Sequence, residues 1–342
     1  MLIKEIILFI IILIFLFYFF KKKFLKLIVK YNLIDKPGKN KIHGKTVPLS
    51  GGILLIFSIF LYLILFNKFF GFENGLNEIV LIVIFASFFS FLIGFYDDIL
   101  YLSSKKKILI VTIINILFFQ NIELFKIKFL IFDNSFFELR INILSVSIFL
   151  SILSFLAYHY SLTIIDGING LFGTYNAIFL SILLIFFELD SEFKNFIFFL
   201  ILINLFIIYL NLKGDLFYGN SGSLTLSSIL PYLTLCIYNS RENDIYIFSY
   251  ISLIIIPILD IIRLFITRLI NNKDPFSKDL NHLHHILLDK FSLKVTLIIY
   301  NSLCFLPFAI NQYFKINEII TIALQMIIFI FIIKHKKINY CD

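Results

Sequence analysis

The sequence predicts an all-α integral membrane protein, a polytopic bundle of ten or eleven transmembrane helices forming one domain over residues 1–342. Three observations predict it. The 342 residues are 60% hydrophobic and 15% charged, with a mean hydropathy of +0.97, whereas soluble domains are about half apolar and a quarter charged. The apolar residues fall in runs of roughly 15–22, close to the ~20 that cross a ~30 Å hydrocarbon core as helix. The cations between those runs alternate in density, as the loops of a multi-pass protein do. The ten-residue alternation of a membrane β-barrel is absent.

Taken in order, the apolar segments centre in 6–20, 49–66, 79–96, 107–120, 141–158, 171–187, 196–212, 223–238, 246–266, 293–312 and 318–333. The first resembles a signal peptide. It lacks a small-residue cleavage site, and Lys21–Lys23 follow it like a stop-transfer flank, so it reads as a retained helix. The fourth is short and weak, which leaves ten as the alternative count. The three cysteines, Cys236, Cys304 and Cys341, are far apart and fit no metal spacing.

With eleven spans and the N-terminus outside, the inner loops carry nine Lys in 21–47, three in 105–107, Lys213, five Lys/Arg in 268–294 and three in the tail. These 21 cations face eight outside: Lys4, Lys68, Lys126, Lys128, Arg140, Lys194, Arg241 and Lys315. The bias predicts an outer N-terminus and a cytoplasmic C-terminus. It also accounts for the net charge of +8 without nucleic acid as a partner.

Five polar stretches then fall on the cytoplasmic side: DKPGKNKIHGKTVPLSGG (35–52), YDDILYLSSKKK (96–107), LTIIDGINGLFG (162–173), KGDLFYGNSGSLTLS (213–227) and NKDPFSKDLNHLHH (272–285). Each has a plain reading and a chemical one. Asp97 and Asp98 can end a helix, or bind a hard cation beside lysines that attract phosphate. The glycines after Asp166 can serve packing, or let backbone approach a phosphate. GNSGS can be a turn, or an anion-binding loop opening a helix with Ser221 and Ser223 as donors. The histidines His282, His284 and His285 can ligate metal, or donate to a diphosphate; with no cysteine partner nearby, phosphate contact is favoured. Ionisable groups at helix ends, rather than at the bilayer midplane, disfavour a transporter. They favour a reaction at the membrane–cytosol boundary.

From Asp35 to His285 these motifs resemble the polyprenyl-phosphate N-acetylhexosamine-1-phosphate transferases of glycosyltransferase family 4. Lys41–His43 with Pro48, Gly51 and Gly52 looks like the family's first cytoplasmic loop, Asp97–Asp98 its acidic pair, DGINGL its second acidic motif and PFSKDLNHLHH its histidine loop. The His-Leu-His-His order resembles the branch that starts O-antigen, common-antigen or teichoic acid chains. Three positions depart from the pattern. Thr163 stands where an Asn is usual, Asn220 where an Asp is usual, and Leu280 where an Arg often follows the loop Asp. Asp215 stands five residues from Asn220 as an imperfect substitute.

The resemblance implies transfer of an N-acetylhexosamine 1-phosphate from a UDP-sugar to undecaprenyl phosphate, with release of UMP, in the bacterial inner membrane. It implies Mg²⁺ (or Mn²⁺) held near Thr163, Asp166 and Asn220. Asp97, Asp98 and Asp166 would be catalytic, and Lys41, His43, Lys106, Lys107, His282, His284 and His285 would contact substrate. A homodimer is compatible with family analogy. The alternatives are a weakened paralogue that binds lipid phosphate or UDP-sugar without turnover, motivated by Thr163 and Asn220, and, less favoured, a transporter.

Overall fold

An apolar run in lipid can satisfy its backbone only within itself, so long apolar segments become helices. A computed structural model describes residues 44–70, 78–132, 137–240, 247–277 and 279–334, with 33–38 and six positions before them (11, 12, 15, 28, 30 and 31). The helices whose bounds lie among the described residues are α1 (Gly51–Phe70), α2 (Glu78–Leu100), α3 (Ser104–Asn121), α4 (Leu144–Ile165), α5 (Leu171–Phe186), α6 (Ser191–Leu212), α7 (Gly219–Ser240), α8 (Ile247–Ile270), α9 (Leu283–Leu288), α10 (Leu293–Phe314) and α11 (Glu318–Lys334). All but the short α9 coincide with expected segments. The expected first segment, 6–20, lies mostly outside the described residues, as do Lys41 and His43. Among the described residues, α2, α4, α6 and α10 are long and apolar enough to cross a membrane.

Among the described residues, two small antiparallel pairs accompany the helices. Strand β1 (Ile34–Asp35) pairs with β2 (Val47–Pro48), and β3 (Phe129–Phe132) with β4 (Phe137–Arg140), with Phe129 opposite Arg140.

The side-chain distribution is that of a bundle in lipid. Phe85, Leu117, Phe149 and Ile185 are exposed, while Ser58, Ser90, Asn115, His159 and Asn204 are buried. Small polar residues inside, and apolar ones outside, let helices approach and hydrogen-bond one another. Helix α7 lies at the centre, buried from Ser221 to Tyr238. Its polar groups find partners on the surrounding helices. Tyr232 donates to Asn115 Oδ1 on α3 (2.7 Å), and Ser228 bonds Ser90 on α2 and His159 Nδ1 on α4. The first-loop backbone locks onto the approach to α7: Gly51 N donates to Phe217 O, Gly52 N to Tyr218 O and Phe217 N to Pro48 O.

Candidate active site

The acidic pair ends α2, where carbonyls point outward and a carboxylate is disfavoured by the helix dipole. Each acid has found donors elsewhere. Asp97, 2% exposed, accepts from Leu102 N and from Lys107 Nζ at 2.8 Å. It thereby closes the turn that passes through Tyr101, at φ 52°, into α3, which Ser103 caps by accepting from Lys106 N.

Asp98 plugs the start of α7. Its Oδ1 accepts from Asn220 N (2.7 Å) and Asn220 Nδ2 (3.1 Å), and its Oδ2 from Ser221 N (2.9 Å). A helix N-terminus offers unsatisfied N–H groups and partial positive charge, so this is a natural seat for an anion. The GNSGS loop therefore does bind an anion, and that anion is the protein's own carboxylate. Gly219 makes it possible. Its φ is +69°, and a Cβ there would stand 2.8 Å from Asp98 Oδ2.

Asp166 follows α4 as its C-cap. Burial, and after it the neighbouring Asp98 charge, push its carboxyl well above the usual carboxylate range. The turn beyond it is tied to the α6–α7 connection: Gly170 N donates to Asn211 Oδ1 (2.6 Å), and Asn211 Nδ2 to Leu216 O (3.1 Å).

The histidines meet this turn. A Cβ on Gly167 would stand 2.2 Å from His284 Nε2, which is buried and has no hydrogen-bond partner among the described residues. His282 and His284 stack with ring centroids 5.6 Å apart, and His284 and His285 lie at 4.2 Å. Burial first, then the charges of His285 and His282, hold His284 well below the ordinary imidazole range, so its ring is neutral near pH 7.

Three supports were missed by the sequence reading. Asp260 on α8 accepts from His282 Nδ1 (2.9 Å), Leu283 N (3.1 Å) and Arg263 (2.8 Å). Arg263 also donates to Asn281 O. Arg268 fixes the far end of the loop through Asp279 (2.9 Å) and Pro275 O (2.8 Å). The signal was present: ionisable residues within an apolar span are functional candidates by default. Lys105 adds a surface link to Asp274 at 3.8 Å.

The structure thus joins Asp98, Asp166, Asn220, His282, His284 and His285 at one end of the bundle. Lys107 spends its charge on Asp97, and Lys106 is exposed. Thr163 lies in the last turn of α4 with its hydroxyl donating to Tyr160 O (3.0 Å). Asp215 is exposed.

A hard divalent cation fits the donors present. Asp98 and Asp166 offer carboxylate oxygens whose mutual repulsion a cation would relieve, and each carboxylate keeps lone pairs beyond its hydrogen bonds. No described residue donates a hydrogen bond to the Asp166 carboxylate. No third His, Cys, Asp or Glu among the described residues converges on the pair; substrate oxygens and water commonly complete a Mg²⁺ shell.

The fold and site define a multi-pass helical membrane protein with acids and histidines gathered at one end of its helices. The profile of glycosyl transferase family 4 matches residues 80–238, a span that holds Asp97, Asp98, Asp166 and Asn220. The undecaprenyl-phosphate alpha-N-acetylglucosaminyl 1-phosphate transferase of Thermotoga maritima is 28% identical over 274 residues, 79% of this chain and 78% of that protein. The protein of the same name from Salmonella typhi is 24% identical over 275 residues, 77% of this chain and 71% of that protein. The probable undecaprenyl-phosphate N-acetylglucosaminyl 1-phosphate transferase of Bacillus subtilis is 25% identical over 271 residues, 77% of this chain and 72% of that protein. The matched span and these relatives make the chain similar to glycosyl transferase family 4.

Proposed function

We propose that this protein transfers an N-acetylhexosamine 1-phosphate from a UDP-sugar to undecaprenyl phosphate, releasing UMP and starting a cell-envelope polysaccharide. The names of its relatives support the lipid and the sugar. The observation that carries the reading is the meeting of Asp98 and Asp166 with His284, whose buried Nε2 lies against Gly167. The charge bias of the loops supports eleven crossings, an outer N-terminus and a site on the cytoplasmic face of the bacterial inner membrane.

In the reaction an oxygen of the prenyl phosphate forms a bond to the β-phosphorus of the UDP-sugar. The bond from the β-phosphorus to the bridging oxygen breaks, and UMP departs with that oxygen and the electron pair. Two anions must meet, so catalysis is chiefly positioning and charge neutralisation. Mg²⁺, with Mn²⁺ as a substitute, would be held by Asp98 and Asp166 and would neutralise the diphosphate. Asp98 holds α7 in register with α2. Asn220 orients Asp98 through its amide and leaves its own amide oxygen for the site. The prenyl phosphate, with a second pKa of ~6, is largely ionised at neutral pH and needs little help from a base. Neutral His284 and the Asp260-oriented His282 offer N–H groups to phosphate oxygens. The purified protein should release UMP only when UDP-N-acetylhexosamine, undecaprenyl phosphate and Mg²⁺ are all present. UMP release without the lipid would refute the proposal.

A further inference from the structure

A cavity lies at the end of the bundle away from Asp98 and Asp166. Helix α3 starts at the Asp97–Lys107 pair, and its 18 residues carry the chain about 27 Å away at 1.5 Å per residue. Helix α4 ends at Asp166 and begins, 22 residues earlier, on the wall of this cavity. The space measures about 340 Å³ and is lined by Glu123, Lys126, Lys128, Arg140, Leu144 and Ser147, among others. Its walls hold three cations and one acid; Glu138, which pairs with Arg140, lies outside the lining.

The cations are built in. Lys126 has a side chain only 4% exposed and pairs with Glu123, and Lys128 takes the other oxygen of Glu123 at 2.8 Å. Hydrogen bonds from these two ammoniums, and after them their charges, hold the Glu123 carboxyl at about 2. The loop that carries them is pinned. Ser147 donates to Ile127 O (2.6 Å), Ile127 N to Ser151 Oγ (2.7 Å), Ile141 N to Lys128 O (2.8 Å) and Asn239 to Leu124 O (2.7 Å). The first turn of α4 holds no acid, and its cap Ile143 supplies no side-chain hydrogen bond. The helix start adds partial positive charge to the same wall.

An apolar groove of about 470 Å³ is lined by Leu81 and Phe85 of α2, Leu117 and Phe118 of α3, and Ile122. Ile122 lines the groove and the next residue, Glu123, lines the cavity, so one short stretch of chain borders both. Phe85 and Leu117 are 58% and 57% exposed, as lipid-facing residues are. A free phosphate would use the cavity alone. A lipid with an anionic phosphodiester headgroup would use both spaces.

We propose that this cavity and groove form a binding site for an anionic phospholipid, separate from the site that holds Asp98 and Asp166. The phosphodiester lies among Lys126, Lys128 and Arg140, and an acyl chain lies along α2 and α3.

The test uses the full chain in a neutral detergent, with phosphatidylglycerol, phosphatidylcholine and inorganic phosphate as probes and bound lipid read by native mass spectrometry. Phosphatidylglycerol should bind at least about tenfold more tightly than phosphatidylcholine, because the zwitterion lacks net charge. The Lys128→Gln/Arg140→Gln double variant should lose about tenfold or more of that affinity. Both side chains are over half exposed, so the fold should survive, and a melting curve checks it. Should the double variant unfold, Arg140→Gln alone serves, with a loss of several-fold expected. Equal affinity for the two lipids, or unchanged affinity in a folded variant, would overturn the proposal. Displacement of phosphatidylglycerol by micromolar inorganic phosphate would overturn the lipid as occupant and leave a free-anion site.

Discussion

Replacing Asn220 by Asp reverses the sign of one contact at the centre of the site. In the wild type, Asn220 Nδ2 donates to Asp98 Oδ1 at 3.1 Å. A hydrogen bond to a charged group contributes about 1.5–3 kcal/mol, and the substitution removes it. A second carboxylate oxygen at that distance would repel Asp98 by about 5 kcal/mol at an effective dielectric of about 20, and Asp166 lies close by. Without a divalent cation, the site must take up a proton or loosen the start of α7. The melting temperature in EDTA should therefore fall below that of the wild type. With Mg²⁺ the added carboxylate becomes a ligand, since hard cations favour charged oxygens. The Mg²⁺-induced rise in melting temperature should then exceed that of the wild type, and the Mg²⁺ concentration for half-maximal UMP release should fall. Asp215→Asn is the control; Asp215 is exposed, and its loss should leave the Mg²⁺ requirement unchanged. An Asn220→Asp protein as stable in EDTA as the wild type, with the same Mg²⁺ requirement, would refute the reasoning.

Other consequences concern the histidine loop. Asp260→Asn should lower turnover on the order of 10²-fold by freeing His282 from its orientation, with partial rescue by Asp260→Glu, as measured by UMP release in folded protein. Gly167→Ala would drive a Cβ to 2.2 Å from His284 Nε2; it should cut activity by at least about tenfold while phosphatidylglycerol binding stays at the wild-type level. His284 also sets a pH dependence. Its folded pKa is lowered, so below about 6.5 the unfolded chain takes up a proton that the folded one refuses. Stability should then decline as pH falls, by up to about 1.4 kcal/mol per pH unit from this group. His284→Gln should flatten the decline, as melting curves between pH 5 and 7.5 would show.

The helices were legible because an apolar run long enough to cross a membrane is a strong and single signal. Ten expected segments coincide with α1–α8, α10 and α11. Helix α9 was not legible, since six residues carry too little pattern. Neither was the β3–β4 pair, whose strands have four residues each. Asp98, Asp166, Asn220 and the three histidines stood out because charged and histidine residues are rare in so apolar a chain. Their partners did not. Asp98 and Asn220 lie 122 positions apart, and no local pattern says that a carboxylate will plug the start of another helix. The sequence places Lys107 beside the acids but does not reveal that Asp97 consumes its charge. Asn220 reads as a weakened ligand until its amide is seen donating to Asp98. Asp260 lay in plain view within an apolar segment, and its meaning appeared only with His282 beside it.

The most direct test of the central claim is UMP release by the purified chain, with undecaprenyl phosphate and Mg²⁺ each present or withheld, in wild type and in Asp98→Asn and Asp166→Asn. The account predicts UMP from the wild type only when both are supplied. It predicts a loss on the order of 10²–10³ in each variant, with the variants still folded by melting curve. Release of UMP by the wild type without undecaprenyl phosphate, or near-normal release by both folded variants, would contradict the account.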